Sequence, residues 1–343
     1  MKKEQRKWMS ILMAAVLSCV FFMPVQAQTS NSVDLAVTRS ATYHQSDDQG
    51  LTAENALEQK LEPLGVPGGA LKHLPQEQLQ KLSEATEIIV QSSYYLEPDS
   101  ENQPLMQVDR DTYQKALKED QVRRAAFERQ LKTGEVGAVT PFSILNPSTG
   151  TTANVNGGKL NLLIILGSAD NVNYVVAAIF NWETLPIFRG KDAFGITRDT
   201  DTKVKEKSAS GGYSYYYQIR RPDNTYEDRE EYHDLSYSNL KQDDRKYGYA
   251  YEFRLLSNIP SSDPLLPQTR HNSMLGFVAY EGYVSSTSIR GVNHWATYAH
   301  QNVKLVADPS FNFSVPFSSA FSVTFGFGWT YKQVNEEHDW RIR

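Results

Sequence analysis

Beyond Pro141 the chain is written in strand-length pieces, and this limits the folds open to it more than any other feature. Residues 160–166 form an apolar run that follows the turn signal Asn156-Gly157-Gly158. Residues 174–182 form another, separated from the first by Ser168-Ala169-Asp170-Asn171. Two such runs bounded by turn residues predict paired strands. Segments 213–219, 247–255, 275–284, 295–306, 311–317 and 321–329 have the same texture, which makes about eight strands. Strands joined by short polar turns predict an antiparallel β-sandwich-like domain over residues 141–343. The polar stretches 199–212 and 221–246 read as long loops, and no repeat of fixed period is visible.

Upstream the period is helical. Ala56, Leu57, Leu61 and Leu64 are spaced for one helix face, with Gly65 as a stop. Pro75 opens a second helix carrying Leu79, Leu82 and Ala85, and a β-like run over 87–96 ends at Pro98. Asp109 can cap a third helix with Tyr113, Leu117, Ala125, Phe127 and Leu131 along one side. Residues 51–140 therefore read as a helical N-terminal region with a short strand, an interaction arm or a pro-segment, hinged at Gly134 to Pro141. The fold class expected is α+β, mainly β.

The first 27 residues have the marks of a secretory signal peptide. Lys2, Lys3, Arg6 and Lys7 precede an uncharged stretch from Trp8 to Met23, then Pro24 and Val25-Gln26-Ala27. The uncharged stretch is too short for the ~20 residues of a membrane-spanning helix. Cys19 lies within the apolar run rather than at its end, which disfavours a lipid-anchor reading. Cleavage after Ala27 leaves a secreted chain without cysteine, as in Gram-positive secretomes, held by its core and not by disulfides. Residues 28–50 are polar and aperiodic and read as a disordered linker. With 35 basic and 40 acidic side chains there is no basic surplus for nucleic acid. No segment of the mature chain predicts a stable membrane span.

Residues 182–196 contain W-x-x-x-P-x-x-R-x-x-D, built from Trp182, Pro186, Arg189 and Asp192. The pattern resembles one that follows an apolar strand in uncharacterised secreted proteins of Gram-positive bacteria. Leu61-Glu62-Pro63-Leu64-Gly65, Leu74-Pro75-Gln76-Glu77 and Tyr298-Ala299-His300 are also similar to that group. The resemblance implies a secreted protein with a β-rich C-terminal domain and transfers no catalytic residue. Physically, Trp182 would end a buried strand, Pro186 would fix the turn, and Arg189 and Asp192 would pair after the chain reverses.

Enzyme signatures are missing from the sequence: there is no H-E-x-x-H, G-x-S-x-G or P-loop, and no cofactor or metal is expected. His294 and His300 share a strand face, but six residues span ~20 Å, too far for one ion. Asp199-Thr200-Asp201 lacks the glycine and glutamate of a calcium loop. Glu227-Asp228-Arg229-Glu230-Glu231 with Asp234 reads as a solvated acidic loop.

Aromatic residues are the informative ones. Tyr213, Tyr215 and Tyr217 share one strand face, with Tyr216 opposite. Such a row can be a platform for cell-wall polymer or a protein partner, or ordinary filling of a sheet face. Phe311, Phe313, Val315 and Phe317, then Phe321, Val323, Phe325, Phe327 and Trp329, alternate with polar or small residues. They predict a core-facing hairpin. The same dyad is compatible with a membrane-active β-hairpin, but runs of seven and nine residues are short of the ~9–11 needed to span. The reading is therefore a secreted or envelope-associated non-enzymatic binding protein. A secreted hydrolase using His233, Asp234 or His300 stands second, and a membrane-active toxin third.

Overall fold

The computed structural model describes residues 37–42, 53–67, 69–98, 105–133, 157–170, 172–186, 189–223, 225–242, 247–257, 269–285, 291–301, 309–312, 322–325 and 331–341. Residues 36–343 form one compact unit. In chain order they give β1 (Val37–Thr42), α1 (Ala53–Leu61), α2 (Gln76–Ser83), β2 (Glu87–Leu96), β3 (Met106–Val108) and α3 (Arg110–Thr133). Then come β4 (Lys159–Ser168), β5 (Asn173–Thr184), β6 (Lys191–Arg198), β7 (Thr202–Val204), β8 (Ser210–Arg220) and β9 (Tyr226–Leu235). The chain closes with β10 (Lys241–Gln242), β11 (Gly248–Arg254), β12 (Thr269–Val284), β13 (Gly291–Gln301), β14 (Pro309–Asn312), β15 (Ser322–Phe325) and β16 (Tyr331–Arg341).

The larger sheet runs β1-β2-β4-β5-β12-β8-β9, with β3 on β2 and β7 on β12; the second runs β10-β11-β6-β13-β16. Every pairing among the described strands is antiparallel. The fold is therefore mainly β with few helices, as the alternation predicts. β4 shows why its sequence is a run rather than an alternation. Leu160, Leu162, Ile164 and Leu166 enter the core shared with Phe194, Ile196, Tyr251 and Tyr298 of the second sheet. Leu163 and Ile165 enter another core, with Leu57 and Leu61 of α1 and Leu79 and Leu82 of α2. A strand covered on both faces has no polar side to show.

α3 begins as its sequence predicts, with Asp109 Oδ1 accepting the Thr112 N–H at 2.7 Å. Tyr113, Ala116 and Leu117 pack on Tyr94, Leu96 and Val108, but farther along Val122 is exposed and so is Ala125. No helix among the described residues is long and apolar enough to cross a membrane.

Several boundaries differ from the sequence reading. The expected linker 28–50 contains β1, which pairs with β2 from Val37↔Ser92 to Thr42↔Glu87. The helical region is not a separate body: β2 pairs with β4 from Glu87↔Ser168 to Leu96↔Lys159. The expected hinge at 134–140 lies outside the described residues. The expected loop 221–246 contains the ten-residue β9 and the short β10, and the stretch 199–212 holds β7 and the start of β8. β9 and β16 are charge-rich edge strands, and charges that guard an edge hide it from a search for apolar runs.

Candidate functional site: an aromatic strip and a buried histidine pair

β8 places Tyr213, Tyr215 and Tyr217 on the face turned toward the second sheet, and its neighbours supply two imidazoles. His233 of β9 stands opposite Tyr213, and His271 of β12 opposite Tyr217. Tyr213 and His233 stack at 4.7 Å between ring centroids, and Tyr217 and His271 at 5.3 Å. Tyr215 meets both imidazoles edge-on, at 5.6 and 6.2 Å. The five rings form one strip across β9, β8 and β12.

The strip is graded rather than flat. Tyr215 is buried and its hydroxyl donates to the Arg254 carbonyl, so it belongs to the wall. Tyr213 and Tyr217 are half-buried, and Tyr213 continues inward onto Tyr251 at 5.8 Å and Phe253 at 5.6 Å. Burial, then the negative charge of Glu231, pushes the Tyr213 phenol up, so it is a neutral donor. Burial also pulls the His271 imidazole down; Arg189 adds to this and Glu231 opposes it. At the open edge His233 Nε2 lies 3.1 Å from Glu231 Oε1.

The opposite face of β8 and β9 is a clamp. His73 stacks on Tyr232 at 3.9 Å, and its Nε2 lies 2.7 Å from Glu230 Oε1 and 3.0 Å from the Ser214 hydroxyl. Serine and carboxylate meet the same ring nitrogen, whereas a nucleophile relay needs them on opposite nitrogens. The arrangement ties the turn before α2 to β9, helped by Lys72 Nζ on Glu230 Oε2 at 2.5 Å.

The W-x-x-x-P-x-x-R-x-x-D residues come together differently from the expectation. Trp182 is fully buried in β5, and its Nε1–H donates to the Tyr298 hydroxyl at 2.6 Å. Arg189 does not take Asp192 as its hydrogen-bond partner: its guanidinium donates to the carbonyls of Pro186 at 3.0 Å and Leu256 at 2.7 Å. Asp192 accepts from Tyr298 and lies 2.9 Å from His300 Nδ1, and both members of that pair are 0% exposed. Arg189 thus fastens the loop after β5 by its backbone while Asp192 faces inward from β6. Burial pulls the Arg189 guanidinium down to about 10, against the pull of Glu97.

His294 and His300 both point into the sandwich from β13. His294 Nε2 lies 3.3 Å from the Tyr174 hydroxyl, at the opposite end of β5 from Trp182. The acidic stretch of β9 is split by the pleat: Glu227 pairs with Arg221 at 2.9 Å and with Arg229 at 2.5 Å, while Glu230 turns to the clamp. Among the described residues no group of three or more His, Cys, Asp or Glu is placed to hold a metal ion. The sequence offers His233 as a candidate residue but does not pair it with the tyrosines, because the composition of β9 is that of a loop. His271 sits at a register shift in β12, between His271 and Ser273, that no apolar pattern reveals.

No family model matches the chain, and no curated protein matches it. Among solved structures, the collagen-binding subdomain of the Enterococcus faecalis surface protein ACE aligns over 49% of this chain and 87% of its own, at 6% identity and TM-score 0.23. The collagen-binding domain of a Staphylococcus aureus adhesin aligns over 49% and 88%, at 6% identity and TM-score 0.23. The pilus backbone protein of Streptococcus pneumoniae aligns over 48% and 41%, at 6% identity and TM-score 0.24. At these TM-scores the likeness carries no argument about the function of this chain.

Proposed function

We propose that the chain is a secreted or cell-envelope-associated protein that binds without reacting, and that its ligand is cell-wall polymer lying along the strip of Tyr213, Tyr217 and His233. The observation that carries this is the stack of Tyr213 on His233 at a half-open edge beside Glu231. Sugar rings present apolar C–H faces that pack on aromatic rings, and hydroxyls that bond to phenols and carboxylates at the rim. The signal-peptide pattern of residues 1–27 supports the compartment. A hydrolase would need an acid–base pair within reach of substrate. The Asp192–His300 pair is enclosed on every side.

Co-sedimentation of the mature chain with purified Gram-positive cell walls tests the reading. The Tyr213→Ala/Tyr217→Ala variant should lose retention by about tenfold or more, as removal of two stacked rings implies, while its melting curve shows that it is folded. Equal retention of a folded variant would reject the strip as the polymer site. Retention on a protein fraction of the wall, and none on the polymer, would assign the strip to a protein partner.

A further inference from the structure

The loop after β5 carries Arg189 to the end of the aromatic strip. Its start is tied to β12, where the Leu185 N–H donates to the Asn272 carbonyl at 3.2 Å. Its end is tied to the chain after β11, where the Leu255 N–H donates to the Gly190 carbonyl at 3.0 Å. The guanidinium donates from Nη1 to the Leu256 carbonyl at 2.7 Å, and Tyr215 reaches the same stretch of backbone at the Arg254 carbonyl. His271, beside Asn272, meets Tyr215 edge-on and stacks on Tyr217. The order of strands in the sheet is therefore the order of the side chains. The Arg189 loop follows β5, His271 stands on β12, the tyrosines on β8, and His233 with Glu231 on β9. Burial directs the His271 pKa downward, and both terminal charges are felt there, Arg189 adding to the shift and Glu231 opposing it.

Arg189 is half-buried and spends Nε and Nη1 on two carbonyls, those of Pro186 and Leu256. Among the described residues no carboxylate bonds to it, and its Nη2 amino group has no acceptor. Glu97 attracts it from a distance, while Glu97 Oε2 accepts the Gly158 N–H at 2.9 Å. A charge withdrawn from water is ordinarily paired with an opposite one, because carbonyl dipoles return only part of the lost hydration. A guanidinium held in place by its own loop, with Nη2 still to be used, suits a planar carboxylate.

The far end of the strip limits how densely a ligand can be charged. Glu231 would repel a polymer with an anion on every unit, since like charges brought together oppose binding. Three strand spacings separate β5 from β9, ~14 Å in all. One stretch of ligand thus meets a cationic end, an aromatic middle and an anionic end.

We propose that the strip recognises an acidic glycan, with a carboxylate taken by Arg189 beside His271 and a neighbouring neutral sugar packed on Tyr213 and Tyr217. This rests on the polymer-binding reading and narrows it from wall polymer in general to polymer that carries carboxylates.

The test is co-sedimentation of the mature chain with two samples: untreated Gram-positive walls, and the same walls with carboxylates converted to amides by carbodiimide and ammonia. Phosphodiesters keep their charge in this treatment, so the two sources of wall anions are separated. Wild-type retention should fall about tenfold on amidated walls, as loss of a charge-assisted pair implies. Non-specific charge would act in the opposite direction, because the chain has 40 acidic against 35 basic side chains. Arg189→Gln should be retained weakly and equally on both samples, and Arg189→Lys should recover part of the difference. Melting curves report whether the variants are folded; if Arg189→Gln is not, Arg189→Lys and the wild-type comparison still decide. Equal wild-type retention on both samples would overturn the acidic-glycan inference and leave the polymer reading standing. No wild-type retention on untreated walls would overturn both. A folded Arg189→Gln variant that still distinguishes the samples as wild type does would overturn the assignment to Arg189.

Discussion

Asp192 lies two residues before Phe194 and four before Ile196, so the pleat that buries those side chains buries its carboxylate too. The same parity on β13 carries His294, Tyr298 and His300 inward with Val292 and Ala296. Asp192→Ala should therefore cost about 3–5 kcal/mol, the usual loss when one member of a buried pair is removed. Denaturant melts should show it as a lower midpoint at unchanged slope. Adding His300→Ala should cost much less than the two single losses together, because both changes remove one contact. At Glu230, burial opposes ionisation, but hydrogen bonds from Lys72, His73 and Ser214 outweigh it and hold the carboxyl at about 2, below its ordinary 4.5. A carboxyl held low in the fold contributes stability above its unfolded value and loses it as pH falls through the folded one. Wild type should accordingly weaken between about pH 4.5 and pH 2. Glu230→Gln should be less stable at pH 7 and should flatten this acid limb, which urea melts at stepped pH would reveal. A limb of unchanged steepness would remove Glu230 as its cause.

Strand elements were legible where packing wrote them in apolar residues and illegible where it did not. β4 and β5 are covered on both faces, so their sequences are nearly unbroken apolar runs; β8 could be read from its alternating tyrosines. β1, β9 and β16 are edges, and their Thr, Arg, Glu and Asp residues match a loop in composition. The row of Tyr213, Tyr215 and Tyr217 was visible as a pattern. Its imidazole partners were not, because His233 and His271 are joined to it only by register. The expected Arg189–Asp192 pairing failed for a similar reason: closeness in sequence suggested partners, but the strand that starts at Lys191 turns Asp192 into the core. Gly158, at the entrance to β4, belongs to the same junction. A Cβ there would lie 2.5 Å from the Trp182 ring and 2.7 Å from the Pro186 Cα, and the latter is backbone that cannot swing aside. Gly158→Ala should destabilise by about 1–3 kcal/mol through overpacking. Gly69→Ala has nothing within 4 Å of its new Cβ but sits at φ +77, so any loss there must come from backbone strain. Circular dichroism melts of the two variants separate the mechanisms: a Trp182→Phe background, which lacks the ring atom nearest the new Cβ, should relieve part of the first loss and none of the second.

At the scale of the molecule, the helices and the sandwich are a single structure because β2 lies between β1 and β4. β2 and β4 share ten cross-strand pairs, from Glu87↔Ser168 to Leu96↔Lys159, and Leu57, Leu61, Leu79 and Leu82 cover Leu163, Ile165 and Val175 from outside. Short helices such as α1 and α2 do not persist alone in water; their apolar faces must be buried on a partner, and here the partner is the larger sheet. The sheet depends on them equally, since without the helices Leu163, Ile165, Val175 and Ile179 would face solvent as one broad apolar patch. Cleavage of the chain between 134 and 140 therefore should not release an independent helical fragment. We expect the two pieces to elute together from a sizing column in native buffer and to separate only in denaturant, with a single melting transition for the nicked protein. Elution of a free fragment containing residues 51–133, with the remainder still folded, would show that the β2–β4 ladder does not hold the molecule together. The helical region would then be an arm or pro-segment after all. Co-elution followed by one cooperative transition places the hydrophobic core of this protein across the cut, in the layer between the helices and the larger sheet.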